Sequence, residues 1–589
     1  MTVRSIVNLT ALAISAATVP HLEAKLSVSL KPSISLGASV GTMVKFTATA
    51  SQANPGTQWY RFRAGAFGED PHIVKDYGPD STLDWTATDH DGIYQIEVAV
   101  RDINTGDVAV TSTWTYFRSN VTDGQAVAMP TSHPLVFMYS APSCPAGATM
   151  RVQFTSSADG VVQSTPSKPC NPNYNSMNFY LAGMRGDTVY TAKHIVTNGT
   201  DSSASPAVAL TTGHPLYTPA AQTVLTNPSS TPSQGVLLEA TIQTPSIASD
   251  LSGNIIWSYP GKISFITRPE NGGYFFGILE DPTADQSGQI VRKFDLAGMT
   301  VLETNAARVS EQLAARGLHT ISSFHHEARS LSNGNWLVLA GEERILTDVQ
   351  GPGPVDVLGD MIIVLDSNLQ VVWTWDAFDH LDPLRMATLN DTCSPGSCPS
   401  TYLAPTANDW LHGNSVQEAP DGNLVYSARA QDWVIKIDYQ RGQGSGNVIW
   451  KMGAEGDFTI NSTDPNPWFS HQHDPQFEPN SPTLTLFDNG DLRNNVDSTA
   501  TSRGMALQVD EANHVVTPLL SADLGSYSFA LGAAQLLPNG DYHFDLGFMP
   551  DGTSVNMEVD PSGNTIYALH VGAPEYRSFR MADMYTSPY

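Results

Sequence analysis

From His325 to Ala340 the chain reads HHEARSLSNGNWLVLA. Polar residues lead into the turn Asn333-Gly334-Asn335, and an apolar run that begins at Trp336 leaves it. Asn followed by Gly supplies the positive φ angles that tight hairpins require. We therefore interpret this stretch as a strand, a hairpin turn and a second, buried strand, with a histidine doublet where the first strand begins.

Similar turns recur through the C-terminal part of the chain. They are Asn271-Gly272-Gly273, Asp421-Gly422, Asn539-Gly540 and Ser562-Gly563-Asn564. A propeller blade of four strands needs about 40–60 residues, so this region has room for six to eight blades, and its irregular insertions favour six. The sequence predicts a six-bladed β-propeller over residues 236–589, with residues 214–235 as the linker that leads into it. A large jelly-roll or a β-helix is the second choice, although a β-helix would show a shorter and stricter period.

The N-terminal part alternates apolar and polar residues between clusters of turn residues, without a strong helical pattern. Residues 25–119 predict an immunoglobulin-like β-sandwich, and residues 120–213 predict a second, fibronectin-like sandwich. The whole chain is therefore expected to be all-β. Residues 1–24 contain an apolar stretch from Ile6 to Val19 before a small-residue cleavage site, which is typical of a secretory signal peptide.

Composition narrows the classes of partner. The 589 residues carry 30 Lys and Arg against 58 Asp and Glu, a net charge of −28. This balance argues against nucleic acid and anionic membrane surfaces as partners. An anionic substrate would need a local cationic cluster that works against the overall field. No stretch after the signal reaches the roughly 18 apolar residues that a membrane helix needs.

The four cysteines form two local pairs. Cys144 and Cys170 lie in one predicted sandwich, and Cys393 and Cys398 flank a Ser-Pro-Gly-Ser turn. We expect both pairs to form disulfides, which indicates an oxidising compartment and therefore export to the periplasm or the outside of the cell.

Three histidine segments are candidates for a shared axial site, because each blade of a propeller can deliver a side chain to the axis. They are His325-His326-Glu327, His412-Gly413-Asn414 and Gln472-His473-Asp474. His412 and Asn414 are two residues apart, which on a strand places them on one face, and Arg429 follows one strand later. An imidazole, an amide and a guanidinium can all donate hydrogen bonds to a tetrahedral oxyanion, whereas the arginine would repel a metal. An anion site is therefore favoured over a three-histidine metal site.

The alternation of side chains leaves two choices open. Either His325 or His326 faces the axis, since adjacent strand residues point to opposite faces. His471 shares a face with His473. We prefer His326, because His326-Glu327 then lines up with His473-Asp474, and the choice between His471 and His473 stays open at this point. The other histidines considered are interpreted as structural or surface residues: His380, His543 and His570.

Several ordered motifs resemble the bacterial arylsulfotransferase (aryl-sulfate sulfotransferase) family, over about residues 220–589. They are His325-His-Glu before Ser332-Asn-Gly-Asn335, Trp410-Leu-His-Gly-Asn-Ser-Val416, Ser427-Ala-Arg429, Gln472-His-Asp-Pro-Gln-Phe477, Leu486-Phe-Asp-Asn-Gly490 and Glu575-Tyr-Arg-Ser-Phe-Arg580. The resemblance implies a six-bladed propeller that moves a sulfuryl group from a phenolic sulfate ester to a phenol in a ping-pong cycle. It implies no cofactor and no 3′-phosphoadenosine-phosphosulfate, in keeping with a sequence in which we find no Gly-rich phosphate loop.

The resemblance also implies roles for individual residues. His473 corresponds to the histidine that becomes transiently sulfated. His326, His412, Asn414 and Arg429 correspond to sulfuryl-binding and acid/base residues, and which of His326 and His412 is the acid/base stays open. Tyr576 corresponds to a tyrosine of the aromatic substrate pocket, and His325 is an additional candidate for substrate binding.

Two other functions compete with this interpretation. One is a non-catalytic secreted propeller that binds carbohydrate or protein, and the other is a metal-dependent propeller hydrolase. The two N-terminal sandwiches exceed what the family needs, and we expect them to serve in attachment, substrate access or formation of a homodimer.

Overall fold

We describe a computed structural model over residues 25–51, 57–219, 222–226, 235–242, 244–263, 265–279, 281, 284–394, 401, 403–479 and 481–588. Strands dominate these ranges, and the helices in them are short, so the prediction of an all-β chain is confirmed. The predicted signal peptide, residues 1–24, lies outside the described residues, as does Cys398. No helix within these ranges has the length and apolar character needed to cross a membrane.

The first N-terminal unit consists of two sheets that share one apolar core. Its strands are β1 Ser27–Pro32, β2 Ala38–Ser39, β3 Val44–Ser51, β4 Gln58–Ala66, β5 His72–Gly78, β6 Thr82–Trp85, β7 Gly92–Asp102 and β8 Val108–Arg118. One sheet has the order β1-β3-β6, and the other has the order β2-β8-β7-β4-β5. Alternate residues of β3 are buried, and Phe46 from this strand packs in one cluster with Phe62 and Val98 of the opposite sheet.

The second N-terminal unit has the same two-sheet construction. Its strands are β9 Val127–Pro130, β10 Phe137–Pro142, β11 Thr149–Ser156, β12 Val162–Ser164, β13 Lys168–Pro169, β14 Ser176–Leu181, β15 Val189–Asn198, β16 Asp201–Ala204 and β17 Val208–Thr211. One sheet has the order β14-β10-β9. The other has the order β12-β11-β15-β16, with β13 paired to β11 and β17 paired to β15. The predicted disulfide between Cys144 and Cys170 is present and belongs to the core of this unit.

The remainder of the chain forms short strands that pair mostly with their neighbours in sequence. Its strands are β18 Gln222–Thr226, β19 Val236–Thr241, β20 Ile247–Asp250, β21 Ile255–Ser258, β22 Thr267–Glu270, β23 Tyr274–Leu279, β24 Ile290–Asp295, β25 Thr300–Asn305, β26 Phe324–Ser330, β27 Trp336–Thr347, β28 Pro354–Leu365, β29 Val371–Asp376, β30 Thr392–Cys393, β31 Ala407–Asp409, β32 Gly413–Glu418, β33 Leu424–Ala428, β34 Trp433–Ile437, β35 Val448–Gly453, β36 Thr459–Ile460, β37 His473–Phe477, β38 Thr483–Asp488, β39 Arg503–Asp510, β40 Val515–Asp523, β41 Ala533–Leu536, β42 Tyr542–Leu546, β43 Ser554–Val559, β44 Thr565–Val571 and β45 Glu575–Met581. The helices are α1 Ala306–Ala314, α2 Ala377–His380 and α3 Asp491–Val496, with 3-10 turns at Gln286–Gly288, Arg429–Gln431 and Gln440–Gly442.

Within the described ranges these strands contain six sets of four antiparallel strands, hereafter the six sheets; two are complete sheets, and four are parts of larger sheets that also include β5, β18, β30, β31 or β36. Their orders are β45-β19-β20-β21, β22-β23-β24-β25, β26-β27-β28-β29, β32-β33-β34-β35, β37-β38-β39-β40 and β41-β42-β43-β44. The first strands of successive sheets contact one another from β22 through β26, β32, β37 and β41 to β45. The first sheet joins the last strand of the chain to three much earlier strands, so that the two ends of this region are hydrogen-bonded to each other.

Two features of the strand pairing were not expected from the sequence. β18 lies inside the predicted linker 214–235 and extends the last sheet by pairing with β44. β5 of the first N-terminal unit pairs with β25, where Lys75 lies opposite Glu303, so one sheet runs from the N-terminal unit into the second of the six sheets.

Candidate active site

Three neighbouring first strands carry the predicted histidine segments, and each strand contains a bulge at that point. The pairing register shifts between Phe324 and Ala328 in β26, between Gly413 and Ser415 in β32, and between His473 and Gln476 in β37. Bulges of this kind re-aim side chains and are common beside active sites.

Positive φ angles accompany the bulges. They are 59° at His326, 47° at His412 and 52° at Asp474, a conformation that non-glycine residues adopt rarely. Simple alternation therefore does not apply here. It does not place His325 and His326 on opposite faces, because their Nδ1 atoms lie 2.8 Å apart. It also does not relate His412 to Asn414, because His412 precedes β32.

His473 is held in one tautomer by Asn489. The Asn489 amide nitrogen donates to the carbonyl oxygens of Ser528 and Leu531, at 2.8 and 3.1 Å, which turns the Asn489 oxygen toward the imidazole. His473 Nδ1 lies 2.7 Å from that oxygen, so Nδ1 carries the hydrogen and donates it. In a neutral imidazole the lone pair is then on Nε2.

The surroundings of His473 keep its imidazole neutral. Burial is the main cause of a pKa well below the usual value, and the positive charge of Arg429 lowers this pKa further. The hydrogen bond to Asn489 opposes the shift, while His412 and Arg577 reinforce it. A neutral, oriented ring with a free nitrogen lone pair is the form that a nucleophile requires.

His471 lies in a different environment from His473, although the sequence placed the two on one face. Its ring nitrogens lie between two carboxylates, with Nδ1 3.0 Å from Asp432 and Nε2 3.3 Å from Asp391. Burial and Arg429 lower the pKa of His471, but the two carboxylates outweigh them and raise it above the usual value. The protonated form is favoured at His471, which does not suit a nucleophile.

His325 and His326 form a chain with a buried carboxylate. His325 Nε2 lies 3.1 Å from Asp360 Oδ1, and the second oxygen of Asp360 accepts from the Tyr426 hydroxyl and from the Gly413 amide at 2.7 Å. The His326 ring lies 5.0 Å from the ring of His412 and 5.5 Å from that of Tyr576. Burial is the main cause of a His326 pKa well below the usual value.

His412 is partly exposed and pairs with Asp409 through Nδ1. Asp409 and His412, with Cys393, make up the group within the described ranges whose ligand atoms lie close enough to share one ion. Cys393 is disulfide-bonded, so its sulfur is not available as a thiolate ligand. His412 and Asp409 are instead arranged as an imidazole–carboxylate pair.

Arg429 has hydrogen-bond donors that the described residues leave unused. Its guanidinium lies 3.6 Å from Asp391 and 3.4 Å from Asp491, and its Nε has no hydrogen-bond partner among the described residues. Burial raises the pKa of Asp491 to about 6, so this carboxyl group is still mostly ionised at neutral pH, but neither carboxylate forms a close ion pair with the guanidinium. The arginine therefore retains positive charge and hydrogen-bonding capacity for an anion.

The side chains of Asn414 and Tyr576 form hydrogen bonds with the protein main chain. The Asn414 amide nitrogen donates to the carbonyl oxygen of Gln472 at 2.7 Å, which ties Asn414 to the residue before His473. The Tyr576 hydroxyl donates to the carbonyl oxygen of Asn414 at 2.8 Å. The Tyr576 ring makes edge-to-face contacts with His326 and Phe265, and its hydroxyl is taken up by the main chain.

Sequence reasoning missed three residues that contact the site histidines or their neighbours. Asn489 belongs to the motif Leu486-Phe-Asp-Asn-Gly490, but nothing in the neighbouring sequence connects it with His473. Asp360 is one of two acids in the otherwise apolar strand β28, and Arg577 is part of the C-terminal segment. His543, interpreted as structural, bonds the Ser578 hydroxyl at 2.8 Å.

Solved structures with some likeness include the chicken interferon gamma receptor alpha chain, at 9% identity over 31% of this chain and 98% of that one, with a TM-score of 0.13. A two-domain fibronectin type III segment of chicken tenascin shows 13% identity over 31% of this chain and 98% of that one, with a TM-score of 0.15. Similarities this low carry no argument about fold or function. No curated protein matches the chain significantly.

The family comparison is informative. The arylsulfotransferase (ASST) family matches residues 199–573, which is more than half of the chain and includes the three histidine segments and Arg429. The match begins within the second N-terminal unit, earlier than the resemblance placed it, and ends just before β45. The chain belongs to the arylsulfotransferase family.

Proposed function

We propose that this arylsulfotransferase moves a sulfuryl group from a phenolic sulfate ester to a phenol through a sulfohistidine at His473 Nε2, without a nucleotide sulfate donor. The observation that carries the proposal is the oriented, neutral imidazole of His473 beside the cationic Arg429. A metal hydrolase would not need this tautomer, and a binding module would not need a neutral nucleophile.

We further propose that the six sheets are the blades of a six-bladed β-propeller. The support is the order of contacts among the first strands and the pairing of β45 with β19, which would close the ring. In such a ring the bulged segments of β26, β32 and β37 would surround one end of the axis.

The first half-reaction would form one N–S bond and break one S–O bond. His473 Nε2 attacks sulfur, and the electron pair of the S–O bond leaves on the phenolate. A neutral imidazole avoids the repulsion that an anionic nucleophile would meet from the sulfate ester. Arg429 would stabilise the sulfuryl oxygens, and such a donor is typically worth roughly 2.7–4 kcal/mol.

We propose His412 as the acid/base. Asp409 holds the hydrogen on Nδ1 and would stabilise the imidazolium form, as a carboxylate does for the histidine of a catalytic triad. His412 Nε2 would give a proton to the leaving phenolate and later take one from the acceptor phenol, which attacks sulfur and frees His473.

His326 would then serve as a donor to the sulfuryl group. One hydrogen lies between the two Nδ1 atoms of His325 and His326. When His325 donates it, His326 accepts at Nδ1 and would keep its own hydrogen on Nε2 for the substrate, while Asp360 Oδ1 lies 3.1 Å from the Nε2 of His325.

Export is proposed with this function. The disulfide between Cys144 and Cys170 supports an oxidising compartment. The homodimer stays a prediction.

The test is turnover of a chromogenic phenyl sulfate with a phenol acceptor and no nucleotide donor. We expect acceptor-stimulated release of the chromogenic phenol, unaffected by a chelator, and its loss in His473→Asn. His543→Asn is the matched control, because it removes an equally buried histidine bonded elsewhere. Turnover that survives in His473→Asn would refute the nucleophile. Failure of the wild type with a broad donor panel would favour a binding module.

A further inference from the structure

Arg577 lies on β45, the strand that joins the end of the chain to its earlier strands, and it is fully buried. Its Nη1 lies 3.1 Å from Glu327 and 3.1 Å from Asp474, and its Nη2 donates to the carbonyl oxygen of Asn414 at 3.0 Å. One guanidinium thus contacts a residue of each of the three histidine segments.

These contacts fall next to the reacting groups. Glu327 follows His326 in sequence, and Asp474 follows His473. The planar fork of a guanidinium fixes direction as well as distance, which a lysine ammonium does not. Arg577 therefore joins the three bulged segments through two side-chain carboxylates and one main-chain carbonyl, and Asp474, one of the three contacted residues, has a positive φ angle that is costly for a residue other than glycine.

Arg577 is also positioned to affect charge at the site. Its own pKa is raised, because nearby Asp474, Tyr576 and Glu327 outweigh its burial, so it stays positive at any working pH. Glu327, which Arg268 also binds at 2.7 Å, stays ionised, since Arg268, Arg577 and Arg329 together outweigh burial and lower its pKa. Burial raises the pKa of Asp474.

Arg577 is among the groups that lower the pKa of His473 and among those that lower the pKa of His326. Burial, Arg429, His412 and Arg577 lower the pKa of His473, and the hydrogen bond from Asn489 opposes them. For His326 the causes are burial, followed by the charges of its neighbours His325, His412, His473 and Arg577.

We infer that Arg577 is a positioning residue for sulfuryl transfer, which ties the segments of His326, Asn414 and His473 together, so that the site is complete only when β45 is in place. This inference rests on the proposed function. Arg577 lies beyond the residues that the family comparison matches.

The test compares Arg577→Gln and Arg577→Lys with the control Arg580→Gln. Arg580 lies on the same strand and forms a buried ion pair with Glu558 at 2.7 Å, away from the three histidine segments. Each variant is assayed for the initial burst of phenol over a range of pH, with thermal unfolding measured in parallel.

We expect Arg577→Gln to lower the burst rate at least tenfold and to move its acid limb upward by about one pH unit, because a buried positive charge near both histidines is lost. Arg577→Lys should keep the limb in place but lower kcat at least tenfold with little change in KM. Arg580→Gln should lose comparable thermal stability without either change.

Three results would overturn the inference: an unmoved limb in a folded Arg577→Gln, a Lys variant within twofold of wild-type kcat, or an equal loss of rate in Arg580→Gln. If Arg577→Gln does not fold, the Lys variant decides alone. NMR titration of ¹⁵N-histidine-labelled protein, assigned with His326→Gln and His473→Asn, separates the two proposals. If the wild type transfers no sulfuryl group, the proposed function is refuted. If the histidine titrations nevertheless shift in Arg577→Gln, the electrostatic role of Arg577 still stands.

Discussion

Replacing Asn489 tests whether one hydrogen bond sets the reactivity of His473. In Asn489→Ala the hydrogen on Nδ1 loses its acceptor, and the buried imidazole is free to place that hydrogen on Nε2 instead. Leaving a buried polar group unsatisfied costs about 1–3 kcal/mol. If this whole cost destabilises only the tautomer that attacks sulfur, the rate falls by about 5- to 150-fold. We expect this loss in kcat, with KM nearly unchanged, because Asn489 is bonded to the protein rather than turned to the substrate.

The assay is the pre-steady-state burst of phenol from a phenyl sulfate. Gln535→Ala is the matched control, since Gln535 is buried and also makes two hydrogen bonds to the main chain, both with Arg580, at 2.9 and 3.1 Å. Both variants should lower the unfolding temperature, and Asn489→Ala alone should slow the burst.

Asn489→Asp should change the pKa of His473 in the direction opposite to that of Asn489→Ala. A carboxylate beside Nδ1 favours the imidazolium and raises the pKa of His473, so at a given acid pH a smaller fraction of the ring is neutral. The acid limb of the burst should move to higher pH, and activity should partly return under alkaline conditions. A burst in Asn489→Ala within twofold of the wild type would show that Asn489 does not set the tautomer.

Three other predictions concern neighbouring groups. Arg429→Met should lower kcat/KM for the donor by roughly 100- to 1000-fold, the usual effect of losing one oxyanion donor, and a loss below tenfold would remove Arg429 from the reaction. Asp360→Asn should lower kcat/KM by roughly 10- to 150-fold, the effect of losing about 1.5–3 kcal/mol of interaction with a charged group, because it removes the negative charge that lies 3.1 Å from His325 Nε2 and accepts from Tyr426 and Gly413; unchanged steady-state kinetics would refute the role given to His325. In the wild type the acid limb of the burst should lie below pH 6.5, the usual pKa of histidine, because the pKa of His473 is lowered well below that value; a limb above it would contradict the neutral nucleophile.

The sequence was sufficient for features that depend on local pattern. Asn-Gly turns followed by apolar runs, as at Gly334, predict hairpins because the turn geometry demands those residues. The disulfide of Cys144 with Cys170 and the membership of the family followed from spacing and from ordered motifs.

What the sequence did not reveal depends on pairing across distant strands. A bulge appears only when two strands are placed in register, so the alternation rule failed at His325 and His326. Asp360 lies 35 residues after His325 within an apolar strand, and its role is visible only from a 3.1 Å contact. The continuous sheet from β5 to β25 likewise joins residues more than 200 positions apart, Lys75 and Glu303.

The covalent state of His473 tests the central claim most directly. The wild type would be mixed with a phenyl sulfate without acceptor, quenched in base and digested, and its peptides weighed by mass spectrometry. We predict one added sulfuryl group on the peptide that contains His473, which appears with the burst, disappears when a phenol is added, and is absent in His473→Asn. Phenol release without that added mass, or a sulfuryl group on a different residue, would contradict the account.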